Sequence, residues 1–145
     1  MKAGAAAVGI HILADLYGVD VAVLCDGVAL ERLLCQAARD AGARVLNSHF
    51  HSFGEGRGIT GVVLLAESHI SIHTWPEARL ATLDIFMCGS TDGKRALTIV
   101  IDGLSPTDSR IETVARGVRR MRRTGVTVRA HPGPNVSAQS ARSRR

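Results

Sequence analysis

The chain has 145 residues, a formal net charge of +5, an apolar share of 46% and only five aromatic side chains. That length suits one domain, since domains run ~100–200 residues, and the apolar share excludes a wholly disordered chain. No apolar run approaches the ~18 residues of a membrane-spanning helix, so an integral membrane protein is excluded and no membrane partner is expected.

Val8–Tyr17 alternates weakly between apolar and polar residues and predicts a first strand. The N-terminal stretch faintly imitates a signal peptide, but His11 and Asp15 interrupt it. Asp26 can cap a helix over Val28–Ala41, whose Leu30, Leu33, Leu34, Ala37, Ala38 and Ala41 follow three-four spacing before Gly42. Arg44–Phe53 predicts a second strand, and Gly54–Gly58 a hairpin turn; the glycine run lacks the lysine of a phosphate-binding loop. Ile59–Ala66 predicts a third strand, buried at Val62–Leu65. His69–Thr74 predicts a fourth, with His69, Ser71 and His73 on one face and Ile70 and Ile72 on the other, stopped by Pro76. Leu80–Met87 predicts a fifth, ending at Cys88-Gly89, and Ala96–Ile101 a further short strand. Pro106 and Asp108 open a predicted second helix to about Arg123. Val126–Ala130 predicts a last strand, after which the Pro/Gly/Ser-rich chain carries no apolar period. The expected organisation is one domain over residues 1–131 with a disordered basic tail over 132–145. The fold class is α+β: a two-layer sandwich, a mostly antiparallel sheet with two helices on one face. The bare sheet face needs cover, which pairing in a dimer would supply.

Residues 1–109 carry a net charge of −4, and residues 110–145 carry +9. Arg116, Arg119, Arg120, Arg122 and Arg123 fall near the end of the predicted second helix, where positive charge suits the macrodipole. No aromatic residues interleave with them, so a solvated basic face is expected rather than a nucleic-acid platform. Cys25, Cys35 and Cys88 are odd in number and lack metal-like spacing, which predicts a reducing, cytoplasmic setting.

Chemistry concentrates in Glu67-Ser68-His69-Ile70-Ser71-Ile72-His73-Thr74-Trp75-Pro76-Glu77. A serine near two histidines suggests a hydrolase, but no Gly-x-Ser-x-Gly elbow is present. His69 and His73 on one strand would lie ~13 Å apart, too far to share an ion, so no metal site is expected. Taken singly, Ser68 reads as a turn residue, His73 as a satisfied strand histidine, Phe53 as core and Cys88 as a small buried apolar group.

Taken together, the eleven residues closely resemble the processing-site motif of the prokaryotic S-adenosylmethionine decarboxylase proenzymes. Asn47-Ser48-His49-Phe50-His51-Ser52-Phe53 resembles that family's preceding strand, and Asp84-Ile85-Phe86-Met87-Cys88-Gly89 its catalytic cysteine segment. The good match covers roughly residues 8–89. The resemblance implies self-cleavage: Ser68 Oγ attacks the carbonyl of Glu67, an ester replaces the amide, and elimination and hydrolysis split the chain into 1–67 and 68–145. Residue 68 is left as a pyruvoyl cofactor, whose carbonyl forms a Schiff base with S-adenosylmethionine and acts as an electron sink while carbon dioxide leaves. The product is the aminopropyl donor for spermidine. By the same resemblance His73 is the processing base, Thr60 stands where a serine usually assists processing, and Cys88 protonates the substrate α-carbon. Phe53 stacks on adenine, and Glu77 accepts hydrogen bonds from the ribose.

Thr60 and Ser68 are roughly 26 Å apart along an extended strand, and His73 lies roughly 17 Å beyond Ser68 if the chain stays extended. A homodimer with shared sites resolves this, as the resemblance also implies: Ser68 and Cys88 from one chain, Thr60, His73, Phe53 and Glu77 from the other. Ser90–Ser105 is longer and more apolar than the family pattern and reads as an added strand. Two other functions compete with this one. A pyruvoyl-dependent arginine or ornithine decarboxylase would use the same electron sink. An unprocessed nucleic-acid-binding protein would stay one chain.

Overall fold

The computed structural model describes residues 7–118. Six strands form one sheet: β1 (Gly9–Tyr17), β2 (Val45–Ser52), β3 (Ile59–Leu65), β4 (His69–Trp75), β5 (Leu80–Cys88) and β6 (Asp108–Arg116). Their order across the sheet is β2-β3-β4-β5-β1-β6, and every neighbouring pair is antiparallel. The helices are a single turn α1 (Val21–Leu24), α2 (Gly27–Asp40) and α3 (Gly93–Leu104). α2 lies against β2 and β3, α3 against β1 and β5, and the two pack on each other. The expected two-layer α+β sandwich is therefore present, with both long helices on one sheet face.

Local sequence explains most of these elements. Asp26 Oδ1 accepts from Ala29 N at 2.9 Å and caps α2. At its other end Gly42 takes φ +83°, a conformation open to glycine, and Ala43 N donates back to Ala38 O at 2.9 Å. Leu30, Leu34, Ala37 and Ala38 of α2 meet Ile59, Val63, Ile70 and Ile72 of the sheet in a fully buried aliphatic layer. Period-two alternation is clean in β4 and β5, where every second side chain is buried under the helices. The Phe50 ring sits against Gly61, its neighbour across β2 and β3, in space that any side chain would fill. Thr74, the one buried polar residue among those described, donates from Oγ1 to Leu24 O at 2.8 Å and accepts from Ile59 N at 2.7 Å. It thereby ties α1, β3 and β4 together.

The run Val62–Leu65 is buried only at Val63 and Leu65, with Leu64 on the helix-free face 49% exposed, and two expected elements fail. The strand expected at Ala96–Ile101, within the supposed added strand of Ser90–Ser105, is the centre of α3. Thr98-Ile99-Val100-Ile101 has strand propensity, but Ala96, Leu97, Val100 and Leu104 are the buried set, and their three-four spacing fits a helix on the core. Asp92 caps it through Arg95 N at 3.1 Å. The helix expected from Pro106–Asp108 to Arg123 is instead strand β6 at Asp108–Arg116, which pairs with β1 over nine residues from Asp108↔Tyr17 to Arg116↔Gly9. Ile111 and Val114 are three apart, as on a helix face. The open edge of β1 decides otherwise, because its backbone groups need partners. Arg116 therefore ends a strand rather than a helix, and the macrodipole account of it does not apply. Arg119, Arg120, Arg122, Arg123, the expected strand Val126–Ala130 and the expected tail 132–145 lie outside the described residues. Among the described residues no helix is long and apolar enough to cross a membrane.

Candidate active site

β3 and β4 are a hairpin whose tight turn carries the Glu67-Ser68 bond. Leu65 N donates to Ser68 O at 2.9 Å and closes the turn. Ala66 and Glu67 are exposed, and Ser68 is half-buried. Cys88 ends β5 beside this turn. Gly89, at φ +66°, reverses the chain, and Thr91 Oγ1 donates to Cys88 O at 2.7 Å. Glu67, Ser68 and Cys88 thus line one small cleft of about 180 Å³, with Arg44 and Thr91 among its walls.

The opposite end of the hairpin holds the other predicted residues. Thr60 and His73 are cross-strand partners, and Thr60 Oγ1 lies 3.0 Å from His73 Nδ1. The fully extended reading of Thr60 to His73 is therefore corrected: the turn at Ala66–Ser68 folds β4 back on β3, and these two residues meet within one chain. Pro76–Ala78 forms a 3-10 turn that carries Glu77 and is closed by Arg79 in the left-handed region. Phe53 leaves the end of β2 58% exposed, its ring edge-on to His51 at 4.9 Å between centroids. Phe53, Thr60, His73, Trp75 and Glu77 line a cleft of about 710 Å³. A third cavity of about 540 Å³, beside Cys25, Glu31 and Phe50, contains none of the predicted site residues.

The two clefts are separate. Ser68 and His73 are five residues apart on one strand, roughly 17 Å. The larger cleft has the volume of a small-molecule site, ~300–1,000 Å³, and the smaller does not. Within one chain the residue that would be cleaved and the residues that would bind a nucleoside sit at opposite ends of the hairpin.

Between them, on the helix-free face, lies a polar cluster that sequence reading missed. Arg116 Nη1 and His11 Nδ1 are 2.9 Å apart. A guanidinium can only donate, so Nδ1 accepts and the His11 proton sits on Nε2. Nε2 is 3.3 Å from Asp84 Oδ1 but off the line of a hydrogen bond. Ser71 Oγ donates to Asp84 Oδ2 at 3.2 Å. The Phe86 ring stands beside His11 and His69, with Arg116 over its face at 5.8 Å. Alternation in β1 and β5 was the available signal: His11 and Asp84 both fall on the polar side of their strands.

The profile of a family described as S-adenosylmethionine decarboxylase matches residues 10–117. The chain belongs to the S-adenosylmethionine decarboxylase family. A protein of Hydrogenobaculum sp. named S-adenosylmethionine decarboxylase proenzyme is 43% identical over 111 residues, 76% of this chain and 82% of the relative. A proenzyme of the same name from Aquifex aeolicus is 48% identical over 99 residues, 68% of this chain and 73% of the relative. The crystal structure of the adenosylmethionine decarboxylase from Aquifex aeolicus superimposes with a TM-score of 0.73 at 40% identity, covering 83% of this chain and all of the other. These relatives give no support to arginine or ornithine as substrate, or to an unprocessed nucleic-acid-binding protein.

Proposed function

We propose that this chain is a self-cleaving, pyruvoyl-dependent S-adenosylmethionine decarboxylase, a carboxy-lyase whose two protomers share each active site. The observation that carries the reading is the placement of Ser68 beside Cys88 on an exposed hairpin turn, in a cleft too small to hold the substrate alone.

Processing draws on this chain's own groups. Ser68 Oγ adds to the Glu67 carbonyl, and the amide C–N bond breaks as the ester forms. A base then takes the Ser68 α-proton, Glu67 leaves as a carboxylate, and hydrolysis of the resulting enamine releases ammonia. Residue 68 becomes a pyruvoyl cap on 68–145, and 1–67 ends in Glu67. The base is His73 of the partner subunit, its ring steered through Nδ1 by Thr60. That bond leaves Nε2 as the nitrogen for proton transfer. A tight turn with exposed Ala66 and Glu67 fits this chemistry, since the scissile bond is not locked in a ladder.

The pyruvoyl carbonyl supplies an electrophile for the substrate α-amine and a sink for the electrons left by carbon dioxide. Cys88, in the same cleft as residue 68, holds the proton for the α-carbon. The larger cleft receives the nucleoside: Phe53 offers an exposed face for adenine, and the Glu77 carboxylate accepts from ribose hydroxyls. Joining the two clefts requires a second copy, brought in over the helix-free sheet face. That face carries Leu13, Leu64 and Trp75, each more than a third exposed. Three free cysteines suit a reducing, cytoplasmic setting.

The test is carbon dioxide release from S-adenosylmethionine, arginine and ornithine, with intact mass measured on the same sample. We expect two chains, 1–67 and 68–145, the second without a free N-terminal amine, and release from S-adenosylmethionine alone. A chain that stays whole after long incubation, or a free Ser68 amine, overturns the pyruvoyl reading. Release from arginine or ornithine overturns the substrate.

A further inference from the structure

We propose that Gly9 is a positioning residue for Cys88: its missing side chain is the seat into which the thiol leans. The proposal rests on the role given to Cys88 above. Gly9 and Cys88 are direct partners across β1 and β5 and share a face of the sheet. A Cβ at Gly9 would stand 2.8 Å from Cys88 Sγ, 2.8 Å from Phe86 Cε2 and 2.9 Å from the Met87 carbonyl oxygen, where ordinary contact begins at 3.4 Å. Gly9 is buried, and it is not among the glycines with positive φ. Its backbone is open to any residue, so what the position requires is space.

The geometry of the seat follows from strand alternation. Phe86 and Cys88 are two apart on β5 and project from the same face. The Phe86 ring and the thiol therefore both border the space over Gly9, and the bare glycine leaves the way across to β1 open. The ring is itself held, with Arg116 over its face and the His11 ring 5.6 Å away. A methyl at position 9 meets Sγ, the ring edge and the Met87 carbonyl oxygen, and of these the thiol is the group freest to move. The thiol must then leave its present rotamer. A proton donor displaced by about 1 Å loses most of its value, because general acid catalysis depends on reach.

Two backgrounds test this. In the uncleavable Ser68→Ala chain, Cys88 is alkylated with iodoacetamide with and without Gly9→Ala, and each cysteine is followed by peptide mass; Cys25 is the internal control. We expect the Cys88 rate to change several-fold and the Cys25 rate to stay the same. In the cleavable chain, Gly9→Ala should cut as wild type does, keep its KM and lose kcat by roughly 10²-fold or more. A wild-type kcat, or a lost kcat with Cys88 alkylating at the wild-type rate, overturns the proposal. Should Gly9→Ala fold poorly, the same measurements are made with Phe86→Leu added, which removes the ring edge from the crowded spot; an unchanged Cys88 rate there also overturns it. Cys88→Ala run alongside separates the two readings. If Cys88→Ala still decarboxylates, the role of Cys88 fails; if it is inactive while Gly9→Ala is not, only the seat fails.

Discussion

The His73 ring and the Cys88 thiol are fixed by different means, one by a hydrogen bond and one by the shape of the strand beside it. Thr60 Oγ1, 3.0 Å from His73 Nδ1, is the one side-chain hydrogen-bond partner of that ring among the described residues. Thr60→Val keeps the shape and deletes the hydroxyl, so self-cleavage should slow by roughly 10²-fold, while Thr60→Ser should cut at least as fast as wild type. The fraction of cut chain, followed by intact mass over time, reads both; an unchanged rate in Thr60→Val would remove the hydroxyl from the mechanism. Cys88 is assigned to a later step. Cys88→Ala should be cut normally and lose decarboxylation by ~10²–10⁴ in kcat. If it stays uncut as well as inactive, the thiol has a structural role instead.

At the level of elements, the hairpin turn and the α1–β3–β4 junction matter most. The Thr74 hydroxyl donates to Leu24 O and accepts from Ile59 N inside the buried layer. Thr74→Val is close to isosteric but leaves those backbone groups unpaired, at a cost of about 2 kcal/mol. For a domain of this size that lowers Tm by roughly 8 °C. The melt should be taken in the Ser68→Ala chain, which keeps one covalent chain; a shift within error would show that water replaces the hydroxyl. β6 and α3 follow the same logic from the other side. Each takes its conformation from what it must satisfy, the open edge of β1 in one case and the apolar layer in the other.

For the whole molecule, the sharpest expectation concerns sharing between protomers. Ser68→Ala and His73→Ala homodimers should both stay uncut. Co-expressed, they should yield mixed dimers in which the intact Ser68 of the His73→Ala chain faces the intact Thr60 and His73 of the Ser68→Ala chain. Cleavage should return in part, and only in chains carrying His73→Ala, which the mass of the 68–145 fragment identifies. Absence of cut chain in a verified mixed dimer would place the site within one protomer. The roughly 17 Å between Ser68 and His73 would then have to close by unfolding part of β4, which its ladders to β3 and β5 oppose.

The sequence by itself determined the parts whose causes are local. The Asp26 cap and Gly42 stop bounded α2. Alternation placed His69, Ser71 and His73 on one face of β4. The run Glu67–Glu77 with Cys88-Gly89 named the family, because side-chain chemistry in fixed order survives without knowledge of the fold. Tertiary structure decided whatever depends on a distant partner. Ala96–Ile101 has strand propensity and is a helix because its apolar stripe must face the core. Asp108–Arg116 has a helical spacing and is a strand because β1 has an edge to fill. The meeting of Thr60 with His73, the cluster of His11, Asp84 and Arg116, and the bare seat at Gly9 were invisible for the same reason. Each is set by the register between strands far apart in the chain, and register is fixed only when the whole sheet closes.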